Sequence, residues 1–271
     1  MRAPTDSNGQ TAAVHFADMM ALEEHGPDTY VAHGPSYPWG GLYGGQIVAQ
    51  ALRAAAATVE PRFEPHSLHA YFIRLGDAGE PIRLEVERLR NGRSFVTRAV
   101  VARQSTGAIL SMNASFQVVE DAPAVQAAAP PVDVSPPEDG EPSSWSPIFD
   151  RRTHAGSSRG KASAWLRVAQ PLGDDAVLQA CALAYLSDDM PTEAVATLHP
   201  DVAHWHEGGF RSASLDHAIW FHQRGRADEW QLYDFAADRY HGSRGVSIGR
   251  VFNAGVQVAT IAQEVLLRRR A

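Results

Sequence analysis

Gly44-Gly45-Gln46-Ile47-Val48-Ala49-Gln50-Ala51-Leu52-Arg53-Ala54-Ala55-Ala56-Ala57-Thr58-Val59 decides the fold. Ile47, Val48, Ala51, Leu52, Ala55 and Val59 recur at intervals of three and four, which makes one apolar helical face. Its alanines are small enough for a neighbour to pack closely. After Pro61 the period drops to two. Leu68, Ala70 and Phe72 alternate with His69, Tyr71 and Ile73, and Ile82-Arg83-Leu84-Glu85-Val86-Glu87 alternates strictly, as a half-buried strand does. Ser94 to Ala102 and Ala108 to Val119 read as two more strands, and Asn91-Gly92 between strands is a hairpin signal.

The order then recurs. Val177 to Leu186 is an apolar helical run with Ala180, Ala182 and Ala184, and strands are expected at Ala213 to His222, Trp230 to Ala236, Gly245 to Phe252 and Gln257 to Leu267. Leu68-His69-Ala70-Tyr71-Phe72 lies against Asp216-His217-Ala218-Ile219-Trp220-Phe221 with one extra residue in the second copy. The pattern predicts an α+β fold made of two tandem units, each a helix wrapped by an antiparallel sheet. The units are expected over residues 10–120 and 161–271, joined by a proline-rich linker over 121–160. Pro130-Pro131 and Pro136-Pro137 there leave no room for a helix or a central strand.

Composition narrows the function. A chain of 271 residues with 44% hydrophobic residues buries a substantial core. Its apolar runs fall short of the roughly 20 residues a membrane helix needs. A net charge of −7 argues against broad nucleic-acid binding. Met1-Arg2-Ala3-Pro4-Thr5-Asp6 has no apolar core of a signal peptide. Cys181 is the single cysteine, which excludes an internal disulfide and a cysteine-built zinc site. A soluble protein of the reducing cytoplasm is the expectation.

Four segments resemble the type II acyl-CoA thioesterases. They are Gly44 to Leu52, His66 to Phe72 with Gly76-Asp77, Leu89-Arg90-Asn91-Gly92-Arg93-Ser94-Phe95, and Ser214-Leu215-Asp216-His217-Ala218-Ile219-Trp220-Phe221-His222. Ala262-Gln263-Glu264 also fits, and the likeness runs from about Tyr37 to the C-terminus. The resemblance implies a double hotdog fold that hydrolyses acyl-CoA to a fatty acid and CoA, as a homo-oligomer and without cofactor or metal. In that family a strand aspartate polarises water, while a Ser or Thr and a glutamine orient it. Asp216 matches the aspartate, and its counterpart in the first unit is Leu68, so the carboxylate exists in one copy only. Such a group in an apolar strand needs partners or a task; capping a backbone group at the strand end is the other reading. Gln263 matches the glutamine, which both donates and accepts. The family hydroxyl falls at Ala237 or Asp238, so Ser243 is the nearest hydroxyl of the right kind, with Tyr240 or His241 as other donors.

Gly44, Gly45 and Gln46 open a helix whose free N–H groups suit an oxyanion or phosphate; tight helix packing explains the glycines equally well. Arg90, Arg93 and Arg98 are placed to meet CoA phosphates, or form a solvated charge run. Gly156-Ser157-Ser158-Arg159-Gly160 satisfies a serine-hydrolase pattern but lacks the strand that should precede it. His66 with His69, and His204 with His206, have no zinc-protease spacing. A non-catalytic acyl-CoA binder is the alternative function. A hydratase on the same fold is weakened because Asp216 and His217, adjacent on a strand, face opposite sides.

Overall fold

The computed structural model describes residues 14–154, 158–201, 203 and 207–270. The first unit runs α1 (Phe16–Met19), β1 (Glu23–Glu24), β2 (Thr29–Ala32), α2 (Gly44–Ala57), β3 (Phe63–Phe72), β4 (Ile82–Asn91), β5 (Phe95–Gln104) and β6 (Gly107–Val118). The rest runs β7 (Glu141–Pro142), β8 (Phe149–Thr153), β9 (Lys161–Val168), α3 (Ala176–Ser187), α4 (Pro191–Leu198), β10 (Phe210–Ser214), β11 (Asp216–Phe221), β12 (Gln231–His241), β13 (Arg244–Asn253) and β14 (Val256–Arg269). Both expected central helices and the strands that follow them are present. Among the described residues no helix is long and apolar enough to cross a membrane.

All strands join one antiparallel sheet in the order β1-β2-β4-β5-β6-β3-β11-β14-β13-β12-β9-β8-β7, with β10 also pairing β14. The two units meet where β3 pairs β11, with Leu68 opposite Ile219 and Asp216 opposite Tyr71. The sheet wraps around α2 and α3, which pack against each other. This is the double hotdog arrangement. The close approach explains the small residues: a Cβ on Gly45 would lie 2.3 Å from the Tyr185 carbonyl oxygen, and the Tyr43 hydroxyl donates to that same carbonyl at 2.9 Å.

Three local features differ from the sequence expectation. First, part of the proline-rich segment belongs to the sheet, because β7 and β8 extend its edge beside β9. Trp145 from this segment stacks edge-on against Tyr43 and Phe149. Second, the strand expected from Ala213 to His222 breaks at Leu215. The Leu215 N–H donates to Glu264 O at 2.9 Å, and its carbonyl accepts from Phe72 N at 3.0 Å, so it ties both units together. Third, α4 follows α3 at once, started by Pro191, which has the φ a first helical turn wants. It covers a second small core of Val195, Ala196, Phe210, Val265 and Leu267.

Candidate active site

Strand alternation turns Gln263 inward with Ile261 and Val265, and it is 1% exposed. A buried amide must find partners. Its Nε2 donates to Ser214 Oγ at 2.9 Å, and its Oε1 meets His217 Nδ1. Ser214 ends β10, and its hydroxyl donates to Asp188 Oδ1 at 2.8 Å. Asp188 follows the last residue of α3. Its Oδ2 accepts from the Gly45 N–H at 2.9 Å. Residues from α2, α3, β10 and β14 therefore converge on one buried carboxylate.

Two opposed effects set the charge of Asp188. Burial favours the neutral acid, while donors from Ser214, Gln263 and Gly45 favour the anion. Burial wins, and the pKa is raised to about 6. The carboxylate also faces the positive end of the α2 dipole. Asp189 next to it is separately paired, accepting from Trp145 Nε1 at 2.6 Å and lying 3.4 Å from Arg151.

Gln263 is the one residue of the expected catalytic set found in this cluster. Asp216 is half-buried, and its Oδ1 accepts from the Glu264 N–H at 2.6 Å. His217 takes the inward-facing place on β11, and its neighbour Asp216 therefore does not share the Gln263 cluster. Ser243 sits at the β12–β13 hairpin with φ of 63°. Ser247, not Ser243, pairs with Gln263 in register; the intervening positions span roughly 13 Å at about 3.3 Å per residue. Ala237 pairs with Ser247, and Asp238 is bulged out of the register and exposed. Tyr240 donates to Leu267 O at 2.9 Å. The hydroxyl that reaches Gln263 is Ser214.

The helix start does receive an anionic group, but that group belongs to the protein. A Cβ on Gly44 would lie 2.5 Å from Asp188 Oδ2, so glycine there is what lets the carboxylate approach. Gln46 is buried, accepting from the Tyr37 hydroxyl at 2.7 Å and donating to Gln50 at 3.2 Å. Arg90 and Arg93 are exposed on the β4–β5 hairpin. Arg98 departs from that cluster and turns inward, 2% exposed. It donates to Thr58 O at 3.1 Å, Thr58 Oγ1 at 2.7 Å, Asn91 Oδ1 at 2.8 Å and Arg90 O at 2.9 Å. A cation is thereby fixed at the C-terminal end of α2, where the dipole is negative. The serine-hydrolase pattern at 156–160 and the pair His204 and His206 fall wholly or partly outside the described residues. A cavity of about 760 Å³ runs along Pro65, His66, Ala122, Leu183 and Phe221 and is not lined by Asp188, Ser214 or Gln263.

A reading of motifs does not single out Asp188, and it holds Ser214 and His217 only as neighbours of Asp216 in one quoted segment. One signal for Asp188 was present. An acidic pair at the C-terminal end of an apolar helix opposes the helix dipole, and Ser187-Asp188-Asp189 stands there.

Comparison with known proteins agrees with the fold. Residues 33–117 match the family model "Acyl-CoA thioesterase N-terminal domain", and residues 139–266 match "Acyl-CoA thioesterase". The chain is 33% identical to acyl-coenzyme A thioesterase 8 of Mus musculus over 97% of its length and 92% of that protein. It is 32% identical to acyl-CoA thioesterase 2 of Haemophilus influenzae, over 84% of the chain and 87% of that protein. The crystal structure of an acyl-CoA thioesterase II from Mycobacterium marinum superposes with a TM-score of 0.80 at 35% identity, covering 94% of this chain and 98% of the other. The chain belongs to the acyl-CoA thioesterase family.

Proposed function

We propose that the chain hydrolyses acyl-CoA to a free fatty acid and CoA, with Asp188 polarising the attacking water and Ser214 and Gln263 orienting it. The convergence of these three side chains at the start of α2 carries the reading. Water oxygen bonds to the thioester carbonyl carbon and Asp188 takes a proton. The tetrahedral adduct then collapses, the C–S bond breaks, and CoA leaves as a thiolate that is reprotonated. Water is the nucleophile in this reading and no acyl-enzyme is needed: the Ser214 hydroxyl is held between Asp188, to which it donates, and the Gln263 amide, from which it accepts. We assign the carboxylate role to Asp188 rather than Asp216 because Asp188 shares Ser214 with Gln263, whereas Asp216 caps a backbone N–H.

The rival is an acyl-CoA binder without turnover. The test is incubation with short-, medium- and long-chain acyl-CoAs, following thiol release with a thiol reagent and binding by calorimetry. Catalytic release of more than one CoA per protein is the expected result; saturable binding with no thiol release would establish the binder instead. A hydratase is disfavoured, since His217 is buried, held well below the usual imidazole range, and bonded to Gln263.

An active Asp188 must be ionised. With its pKa raised to about 6 by burial, kcat/KM should climb from acid pH, bend near pH 6 and stay level above it. A bend near pH 4 in the pH–rate profile would mean an unburied carboxylate carries the step.

A cytoplasmic homo-oligomer completes the reading. Cys181 is buried with its thiol pushed up to about 12 by desolvation, so it is kept from oxidation. Tyr71 and Trp220 are exposed on the outer face of the sheet at the β3–β11 seam, where a second copy would cover them. A monomer mass by light scattering would remove the oligomer from the account.

A further inference from the structure

We propose that His217 is a positioning residue that fixes which end of the Gln263 amide faces the water-handling groups, with Ser187 fixing His217 in turn. The inference rests on the assignment of Asp188, Ser214 and Gln263 above. The two ends of a glutamine amide have nearly the same shape, but one donates and the other accepts. Only the orientation with the NH₂ towards Ser214 is useful here.

The direction of every bond follows from the carboxylate. An ionised Asp188 only accepts, so the Ser214 hydroxyl must donate to it across 2.8 Å. Ser214 then offers a lone pair, which the Gln263 NH₂ fills at 2.9 Å. The Gln263 carbonyl is thereby left facing His217, and that contact needs a donor on Nδ1. His217 is fully buried, and burial lowers its pKa to about 4, so the ring is neutral and carries one proton. With the proton on Nδ1, Nε2 is an acceptor. Ser187 Oγ lies 2.8 Å from it. That hydroxyl is also 3.0 Å from Ala184 O; with the Nδ1 proton committed to the Gln263 carbonyl, Nε2 is left as an acceptor and takes the Ser187 proton. A single directed chain results, from Ser187 through His217, Gln263 and Ser214 to Asp188. Each link fixes the direction of the next, and the His217 tautomer follows from the Gln263 carbonyl.

If His217 is replaced by leucine, Oε1 loses its donor in a dry site, and an unpaired carbonyl there is costly. The amide is then free to turn over. In the turned state Ser214 donates to Gln263 and leaves Asp188 without its hydroxyl. The expected loss is about 10- to 100-fold in kcat with KM little changed, since the defect lies in aiming water rather than in holding acyl-CoA. His217→Asn returns an N–H to the position of Nδ1 and should recover most of that loss.

The decisive experiment is a double-mutant cycle on kcat with His217→Leu and Gln263→Ala. If His217 acts through Gln263, His217→Leu costs no more than about twofold once Gln263 is alanine. A purely structural histidine would give additive losses, and additivity would overturn the proposal. Should His217→Leu fail to fold by circular dichroism, Ser187→Ala takes its place in the cycle. It releases Nε2, and a loss of about 3- to 10-fold that vanishes with Gln263→Ala is expected. A folded His217→Leu with unchanged kcat would also overturn the proposal. Asp188→Asn, assayed alongside, keeps the two readings apart. Full activity in that variant removes the site assignment itself, whereas an inactive Asp188→Asn beside a fully active His217→Leu removes only the role of His217.

Discussion

Asp188→Asn lowers kcat for acyl-CoA hydrolysis by about 10²–10⁴-fold, the usual contribution of a general base, and leaves the fold intact. The substitution keeps the shape and one acceptor oxygen but cannot take a proton from water. The variant should also be the more stable protein at neutral pH. The folded-state pKa of Asp188 is about 6, above its ordinary value of 3.8. The native state therefore binds this proton more tightly than the unfolded chain does. Native stability is greatest, as far as this group decides it, below about pH 4, and it declines as pH rises through 6. Between those two pKa values the loss is on the order of 3 kcal/mol. Asparagine has no such titration, so the Tm of Asp188→Asn relative to the parent should rise between pH 4 and 6 and then level off. A carboxylate kept ionised in a dry site at a cost in stability is what a stability–activity trade-off looks like in a single residue. A Tm difference that does not change with pH would show that Asp188 is not the strained group.

Arg98→Met should destabilise the chain by about 2–4 kcal/mol, because it leaves buried neutral acceptors without the one donor they share. The guanidinium donates to Thr58 O and Thr58 Oγ1, and Thr58 is buried, so no water replaces the lost donors there. It also ties the end of α2 to the β4–β5 hairpin, so two elements loosen together. Arg98→Lys keeps the charge but not the fork that reaches several acceptors at once, and it should recover only part of the loss. Urea unfolding at a fixed pH measures both; a midpoint for Arg98→Met that matches the parent would mean the arginine is redundant.

The architecture was readable because period is a strong signal. The helical face from Ile47 to Val59 and the alternation after Pro61 each admit one answer, and their repetition after residue 160 points to a duplicated unit. The β7–β8 edge was hidden because its strands are short and lie among prolines, where composition argues for a loop. α4 was hidden because it has only eight residues. The site was harder for a physical reason. Gln263 could be found because one strand residue in a recognisable ending carries it. Asp188 is held by a helix end, Ser214 by a broken strand, and Gly45 by the other helix, so their meeting exists only in three dimensions. Asp216 drew attention as a carboxylate in an apolar strand, and in the fold its Oδ1 accepts the Glu264 N–H. The break at Leu215 is the detail that separates the two readings. It leaves Ser214 beside Gln263 and puts Asp216 against the backbone of Glu264, and nothing in the letters Ser214-Leu215-Asp216 announces it.

The role of Asp188 is tested most directly by measuring kcat for Asp188→Asn and Asp216→Asn side by side on one acyl-CoA at about pH 8, well above the pKa of about 6 that burial gives Asp188. Asn at 216 keeps an oxygen to accept the Glu264 N–H, so that variant should stay within about fivefold of the parent, while Asp188→Asn loses at least about a hundredfold. The reverse order, with Asp216→Asn nearly inactive and Asp188→Asn close to the parent, would contradict the account.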